Sequence, residues 1–221
     1  MVATSQPDIR LAPAGTHVLF NGISWETYER LSMEIEQAGR RCRITYDSGN
    51  MEVEMPTRLH EIIIALVCEM LEHYCIGKDI AYMPTGATTW RRRLLEKGIE
   101  ADASYYVQNV HIAEAAADED LDRCPPPDVA FETEITKPLL PKLPVYAGIG
   151  IAEIWHMRGD LTAQILRLND SGSYEPVPNS IAIPAFTAGV LAHWLDVRST
   201  LTHFETLKRF RNEFVNLDHP R

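Results

Sequence analysis

The stretch PPPDVAFETEIT, residues 125–136, decides how the central sheet of this chain is built. Three prolines end a connection, and the alternating apolar and acidic residues after them predict a β-strand over about residues 128–135. Successive side chains of a strand point to opposite faces. One face carries Val129, Phe131, Thr133 and Ile135, and the other carries Asp128, Ala130, Glu132 and Glu134. The acids therefore form one carboxylate row.

A second acidic row lies upstream, in the segment IEADASYYVQNV over residues 99–110, which predicts another strand. Glu100 and Asp102 share one face of that strand by the same alternation. If the two strands are neighbours, their carboxylates cluster, and repulsion and burial raise their pKa values. A divalent cation relieves both costs, because Mg²⁺ or Mn²⁺ binds carboxylate oxygens and fills its remaining positions with water. A strand with its acids in water is the alternative, and the residues alone leave both open.

The N-terminal half predicts two helices on either side of a β-hairpin. Ser24 is a candidate N-cap for a helix over residues 25–39, and Thr57 for a second helix over residues 58–77. Apolar residues of the second helix follow the helical repeat closely. RCRITYD and MEVEM predict the two hairpin strands, joined by the turn DSGN.

The C-terminal half alternates strands with shorter helices. Strands are predicted within residues 79–93, 99–110, 151–157, 161–168 and 171–177, a surface loop over residues 111–127, and helices over residues 142–150 and 186–214. This order indicates an α/β (α+β) domain with a mixed central β-sheet flanked by helices. We expect an irregular N-terminal arm over residues 1–18, one domain over residues 19–198 and a C-terminal helical extension over residues 199–221.

Composition and charge narrow the class of protein. The 221 residues suit one domain, and 45% hydrophobic with 24% charged residues is typical of a globular chain. The formal net charge of −10 argues against a large non-specific nucleic-acid surface, though not against a local basic groove. The dense basic run WRRR, residues 90–93, is read as a solvated loop or strand edge.

The cysteines and the N-terminus bear on the cellular compartment. None of the four cysteines belongs to a C-x-x-C pair, which argues against a structural zinc site. Cys68 and Cys75 fall on one predicted helix and cannot bridge each other, which favours free thiols in a reducing cytosol. The chain starts without a signal-peptide pattern and has no apolar stretch of membrane-spanning length. We therefore expect a cytoplasmic protein that does not contact a membrane.

Four segments, taken in order, resemble the Uma-two family of restriction endonucleases, a bacterial group within the PD-(D/E)XK nuclease superfamily. The segments are YDSGNMEVEMPTRLHEIII, GIEADASYYVQN, PPPDVAFETEIT and KLPVYAGIGIAEIW. No single motif is strong, and the resemblance, over roughly residues 25–195, depends on their order and spacing. It implies a restriction-endonuclease-like core, in which a mixed sheet is flanked by helices.

The resemblance also implies roles for particular residues. Asp102 and Glu132 correspond to the metal-binding acids of the family, with Mg²⁺ or Mn²⁺ as the cofactor. Lys142 corresponds to the positive charge near the scissile phosphate or the attacking water. His60 and Glu52 match a family histidine at the start of the long helix and a family acid on the preceding hairpin.

Two positions depart from the family pattern. Ala101 stands where the PD motif has proline, a residue that shapes the backbone and binds no metal. Glu134 stands where the superfamily has lysine, and is a candidate third metal ligand or a solvated strand end. Lys142 can replace that lysine only if its helix brings it back over the sheet.

Two functions of different classes follow. The first is a metal-dependent endonuclease that hydrolyses phosphodiester bonds of DNA. The second is a catalytically decayed nuclease fold that serves as a nucleic-acid- or protein-binding module, which the net acidity and the missing strand lysine favour. The C-terminal segment LTHFETLKRFRNEF either packs on its own domain or forms a homodimer contact.

Overall fold

The computed structural model describes residues 12–39, 42–116 and 124–216. The strands are β1 (His17–Asn21), β2 (Arg43–Asp47), β3 (Asn50–Glu54), β4 (Met83–Gly86), β5 (Thr89–Arg92), β6 (Lys97–Glu100), β7 (Ala103–Tyr106), β8 (Val129–Glu134), β9 (Glu153–Arg158), β10 (Ala163–Leu168) and β11 (Tyr174–Val177). The α-helices are α1 (Trp25–Gln37), α2 (Arg58–Gly77), α3 (Val110–Ala115), α4 (Leu143–Ile149), α5 (Ala188–Thr200) and α6 (His203–Phe210).

The strands form two sheets. Sheet A is antiparallel, with strand order β1-β3-β2-β6-β5. Sheet B has the order β11-β10-β9-β8-β7-β4. Its strands β8 and β9 run parallel, whereas the other described neighbours in sheet B run antiparallel. The predicted α/β class with a mixed sheet is confirmed, and sheet A is an addition to it.

Helix α1 packs on sheet A through aromatic side chains. Ser24 caps the helix by accepting a hydrogen bond from Thr27 N, as predicted. The rings of Tyr28 and Tyr46 stack with their centroids 4.6 Å apart. Gly98 of β6 permits this approach, because a Cβ atom there would lie 2.0 Å from Tyr28 Oη.

The main core lies between sheet B and helices α2, α5 and α6. The second helix runs over residues 58–77 as predicted, with Thr57 as its N-cap. Phe131 of β8 and Trp155 of β9 stack with centroids 4.8 Å apart, and Phe210 of α6 is buried in the same cluster. On the opposite face of sheet B, Tyr146 and Ile149 of α4 belong to a second buried cluster. Among the described residues, no helix is long and apolar enough to cross a bilayer.

The segment over residues 99–110 is not one strand, contrary to the prediction. β6 pairs in sheet A and β7 pairs in sheet B, and residues 101 and 102 connect them. Apolar alternation is the same on both sides of the break, so the sequence does not reveal a strand that changes sheets. The consequence is that Asp102 lies at the junction of the two sheets.

Two further predictions are corrected. Residues 111–115 belong to the helix α3 rather than to a surface loop, and Val110 and Ala113 of this helix are buried. The rest of that predicted loop includes residues 117–123, which lie outside the described residues. β8 is an internal strand between β7 and β9, so the alternative of a strand with its acids in water is wrong for Glu132.

The C-terminal segment forms two helices that are followed by a π-helical turn over residues 211–215. Leu207 and Phe210 pack into the main core, whereas Phe204 is exposed. Part of the predicted N-terminal arm, residues 1–11, lies outside the described residues. The division into arm, domain and extension, and the homodimer, stay predictions.

Candidate active site

Asp102 is a fully buried carboxylate where the chain passes from β6 to β7. Its Oδ2 atom accepts a hydrogen bond from Thr133 N at 2.7 Å and lies 2.9 Å from His60 Nε2. Its Oδ1 atom lies 3.4 Å from Arg43 Nε. Because β7 and β8 pair with Ala103 opposite Phe131, the register continues with Asp102 opposite Glu132.

The partners of Asp102 keep it ionised. Burial raises the pKa of Asp102, but His60, Lys142 and Arg43 outweigh burial and lower it below its usual value. Burial lowers the pKa of His60, and the contact with Asp102 reverses this and raises it. The two side chains therefore favour a buried ion pair, which orients the carboxylate.

Arg43 of β2 links Asp102 to further acids. Its Nη1 atom lies 2.9 Å from Glu100 Oε1, and its Nη2 atom lies 3.9 Å from Glu61 Oε1. Burial raises the pKa of Glu100 to about 7, against the opposing effect of Arg43. The sequence analysis missed Arg43, since an arginine at the start of a hairpin strand carries no distinctive signal.

Glu132 makes the second half of the site with residues of α4 and its N-cap. Its Oε2 atom lies 2.9 Å from Lys142 Nζ, and its Oε1 atom accepts a hydrogen bond from the Tyr146 hydroxyl. Lys142 and Tyr146 are four residues apart, so both project from one side of the helix start. Lys142 Nζ also lies 3.1 Å from Glu54 Oε2 on β3.

The Lys142 side chain thus extends back over the sheet. It needs this position in order to take the place of the lysine that the superfamily carries on the strand. Burial raises the pKa of Glu132 to about 7, and the Lys142 charge and the Tyr146 hydrogen bond oppose this shift. Burial lowers the pKa of Lys142, but Glu132, Asp102 and Glu54 together raise it above its usual value. The ammonium therefore stays protonated while Glu132 titrates near neutral pH.

Glu52 holds the segment before α4 instead of joining the Glu132–Lys142 pair. Its Oε1 and Oε2 atoms accept hydrogen bonds from Leu139 N at 3.0 Å and Leu140 N at 2.7 Å. His17 bridges Glu52 and Thr136, with its ring nitrogens 2.7 Å from Glu52 Oε1 and 2.6 Å from Thr136 Oγ1. Glu52 is therefore placed to position the loop that carries the lysine.

The remaining acids of the β8 row have other partners. Glu134 pairs with His156 of β9, with 3.4 Å between Glu134 Oε2 and His156 Nε2. Asp128 accepts hydrogen bonds from three successive backbone amides, those of residues 107–109, and so organises a turn. The three acids of the row predicted from the sequence thus have three different sets of partners.

Besides Arg43, the sequence analysis did not assign roles to Glu54 and Tyr146. Glu54 is two positions after Glu52 in MEVEM, and Tyr146 is one helical turn after Lys142. Strand and helix periodicity could have placed both beside residues already singled out.

A cavity of about 710 Å³ opens beside Glu132 and Lys142. Its floor is the face of β8, β9 and β10 that α4 leaves uncovered, and the proline-rich segment over residues 138–144 forms one wall. The arrangement gives a carboxylate and an ammonium access to a substrate-sized space.

The carboxylates of Asp102 and Glu132 are the candidates to hold a hard divalent cation that has few protein ligands. Within the described residues, no group of three or more His, Cys, Asp and Glu side chains is arranged to hold a metal ion. Mg²⁺ needs no such cage, because it usually takes one or two carboxylates and completes its shell with water and substrate phosphate. Asp102 and Glu132 can supply these carboxylates. The Lys142 ammonium between Glu132 and Glu54 shows that a positive charge is favourable there.

One known protein family matches most of the chain. It matches the Uma2 family model, described as "Putative restriction endonuclease", over residues 25–193. The chain belongs to the Uma2 family. The resemblance to the Uma-two family is confirmed, and the family covers every residue of the site described above except His17.

Other comparisons are more distant. No curated protein matches the chain. The chain is similar to a protein from Anabaena variabilis, whose crystal structure is described as "a putative nuclease belonging to DUF820". The two chains are 16% identical, the likeness covers 69% of this chain and 90% of the other, and the TM-score is 0.45.

Proposed function

We propose that this Uma2-family chain is a metal-dependent endonuclease that hydrolyses phosphodiester bonds of DNA. The observation that carries the proposal is the pairing of Glu132 with Lys142 in the lining of an open cavity, with the buried Asp102 opposite Glu132 in the register of the neighbouring strand. The three residues come from three separate elements. The description of the Uma2 family model, "Putative restriction endonuclease", supports the same class of reaction.

Asp102 and Glu132 would hold the cation, with Mg²⁺ or Mn²⁺ as the candidates. Such a cation, when bound, activates water and neutralises charge at the phosphate. Thr133 N, His60 and Arg43 hold Asp102 ionised and in a fixed orientation. The site therefore needs little rearrangement of Asp102 to receive positive charge.

The other groups act on the phosphate and on the orientation of Glu132. Lys142 lines the cavity and stays protonated, so it can donate hydrogen bonds to phosphate oxygens as negative charge develops on them. Glu132 would bind the cation through its ionised carboxylate, because a carboxylate that binds a metal ion is deprotonated. Tyr146 keeps the Glu132 carboxylate oriented toward Lys142.

A second candidate function is a decayed nuclease that binds nucleic acid or protein. The favouring observation is that Lys142, Arg43 and His60 already compensate the buried acids. A site neutralised by its own side chains is stable without a metal ion. This candidate predicts neither saturable metal binding nor cleavage.

Calorimetric titration of Mn²⁺ and Mg²⁺, beside cleavage assays on plasmid and oligonucleotide DNA, separates the two candidates. The variants are Asp102→Asn and Glu132→Gln, with Glu175→Gln, at an exposed position of β11 outside the cavity lining, as the control. We expect saturable binding that both site variants lose, and cleavage that falls by about 100-fold or more in both. Absence of cleavage and of metal binding, with or without DNA, would favour the decayed nuclease.

A further inference from the structure

The cavity extends well beyond the residues that the proposed reaction uses. In sheet B, Glu132 pairs with His156, and His156 pairs with Gln164, so the three side chains form one row across β8, β9 and β10. The next row inward contains Ile154 and Leu166, which pair with each other and are buried beneath α4. The floor therefore changes from apolar to polar as it leaves the helix.

The walls add flat and apolar surfaces. Pro138, Pro141 and Leu143 line the side that carries Lys142, and Tyr174 of β11 lines the opposite side. The Tyr174 ring is fixed, because its hydroxyl donates a hydrogen bond to the Ile151 carbonyl at 2.6 Å. Apolar walls with a few convergent polar groups are typical of small-ligand sites, and about 710 Å³ is within their usual size range.

The charges limit what can enter. Glu132, Glu134 and Glu54 line the rim, so an anion is accommodated only beside Lys142 or Arg158, the two cations of the lining. Gln164 and His156 bring hydrogen-bond donors and acceptors to the floor, of the kind that read the edge of a base. Tyr174 offers a ring face for stacking. A nucleotide meets these conditions, with its phosphate at Lys142 and its base in the cavity.

We propose that this cavity binds one unstacked base of a DNA strand, so that the preferred ligand is single-stranded DNA. The inference rests on the proposed function, because it takes the phosphate beside Lys142 as the scissile one. A paired base cannot enter the cavity without leaving the duplex, which costs a few kcal/mol, whereas a single strand avoids most of that cost. The site therefore selects for unpaired nucleotides.

Binding measured without cleavage tests this inference. The probe is a fluorescently labelled mixed-sequence DNA oligonucleotide, single-stranded or annealed to its complement, titrated with the full chain in EDTA. We expect anisotropy to show binding to the single strand about tenfold tighter than to the duplex. Equal binding to both, tighter binding to the duplex, or no binding to either would overturn the inference.

Two neutral substitutions locate the binding. Gln164→Trp fills the cavity from its floor, and Gln37→Trp makes the same change at an exposed position of α1 outside the cavity lining. Gln164→Trp should weaken single-strand binding about tenfold, close to the loss of one base contact. Gln37→Trp should leave it unchanged. Circular dichroism melts confirm that both variants fold, and equal affinities of the two variants would overturn the assignment.

The test of base binding can succeed or fail independently of the test of the proposed nuclease function. Single-strand binding that Gln164→Trp weakens, without metal-dependent cleavage under any condition, would retain the cavity as a binding site and reject the nuclease. Cleavage of duplex and single strand at equal rates, unchanged in Gln164→Trp, would retain the nuclease and reject the base-binding cavity.

Discussion

Buried acids in this chain persist because each has particular partners. Asp102 contacts Thr133 N, His60 and Arg43, and Glu132 contacts Lys142 and Tyr146. Desolvating a carboxylate is costly, and hydrogen bonds with opposite charges offset that cost. These contacts stabilise the buried carboxylates. They also show the positions at which a positive charge is favourable.

Lys142→Met should destabilise the fold by about 3 kcal/mol or more, because it leaves Glu132 and Glu54 without their shared cation. Urea unfolding in EDTA measures this free energy. Lys208→Met, at an exposed position of α6, is the matched control and should change stability by less than about 0.5 kcal/mol. Equal effects in the two variants would mean that the buried contacts of Lys142 contribute nothing to stability.

Glu100→Gln should alter the pH dependence of stability. The folded chain keeps the Glu100 proton until a pH of about 7, whereas the unfolded chain loses it near the ordinary value of 4.5. Between these values the folded state binds more protons, so stability decreases as the pH rises. Glutamine cannot titrate. Over that pH range, the free energy of unfolding of the variant should therefore decrease by up to about 3 kcal/mol less than that of the wild type.

Unfolding at several pH values between 4 and 8 checks this prediction. Glu175→Gln, at an exposed position of β11, is the control and should keep the wild-type profile. A Glu100→Gln profile parallel to the wild type would show that burial does not shift the pKa of Glu100.

At the scale of elements, the site depends on how the loop before α4 is held. Glu52 accepts hydrogen bonds from the amides of Leu139 and Leu140, and so anchors the approach to Lys142 on sheet A. Glu52→Gln keeps the size of the side chain but removes its charge. We expect faster hydrogen exchange of the two amides, by about tenfold, since one charge-assisted hydrogen bond contributes about 1.5 kcal/mol.

Exchange measured by NMR separates a local from a global effect. The amide of Ile165, in the interior of β10, should exchange no faster than the change in global stability predicts. Unchanged protection of Leu139 and Leu140 would mean that Glu52 does not hold the loop.

Contact between α1 and sheet A requires a glycine at position 98. Gly98→Ala places a Cβ atom 2.0 Å from Tyr28 Oη, so helix and sheet must move apart. We expect a loss of about 1–3 kcal/mol in the free energy of unfolding. Gly189→Ala, in α5, places a Cβ atom at an ordinary 3.7 Å from Thr187 Oγ1 and should be neutral or stabilising. A stable Gly98→Ala variant would show that this contact is adaptable.

At the scale of the whole molecule, net charge limits how DNA can bind. The chain carries −10 overall, and the arginines of the run over residues 90–93 are engaged within the fold. Arg91 bonds Ser32, Arg92 bonds the Ile149 carbonyl, and Arg93 pairs with acids of α1. This run therefore does not form a free basic surface for a nucleic acid.

The salt dependence of binding should accordingly be shallow. Each phosphate contact adds about −0.7 to the slope of log K against log salt for a single strand, so contacts with Lys142 and Arg158 give about −1.4. Arg158→Gln should halve this slope, whereas Arg167→Gln, at an exposed position outside the cavity lining, should not change it. A slope near −4 would indicate a wider basic surface.

Local features of this chain are encoded in its amino-acid order. Periodicity and caps predicted α1, α2 and the β2–β3 hairpin, because helix and strand patterns depend on near neighbours. The sequence also singled out Asp102, Glu132 and Lys142, through a family resemblance that the family match confirms. The acids stand out because charges within apolar strands need a partner.

The arrangement of these features in space depends on long-range contacts. The break at Asp102 between two sheets, the role of Arg43 and the Glu52 loop contact all involve residues far apart in the chain. Long-range pairing is set by the packing of whole elements, and alternation along one strand does not show which sheet it joins. The physical reason is that a carboxylate's environment depends on which distant side chains surround it after folding.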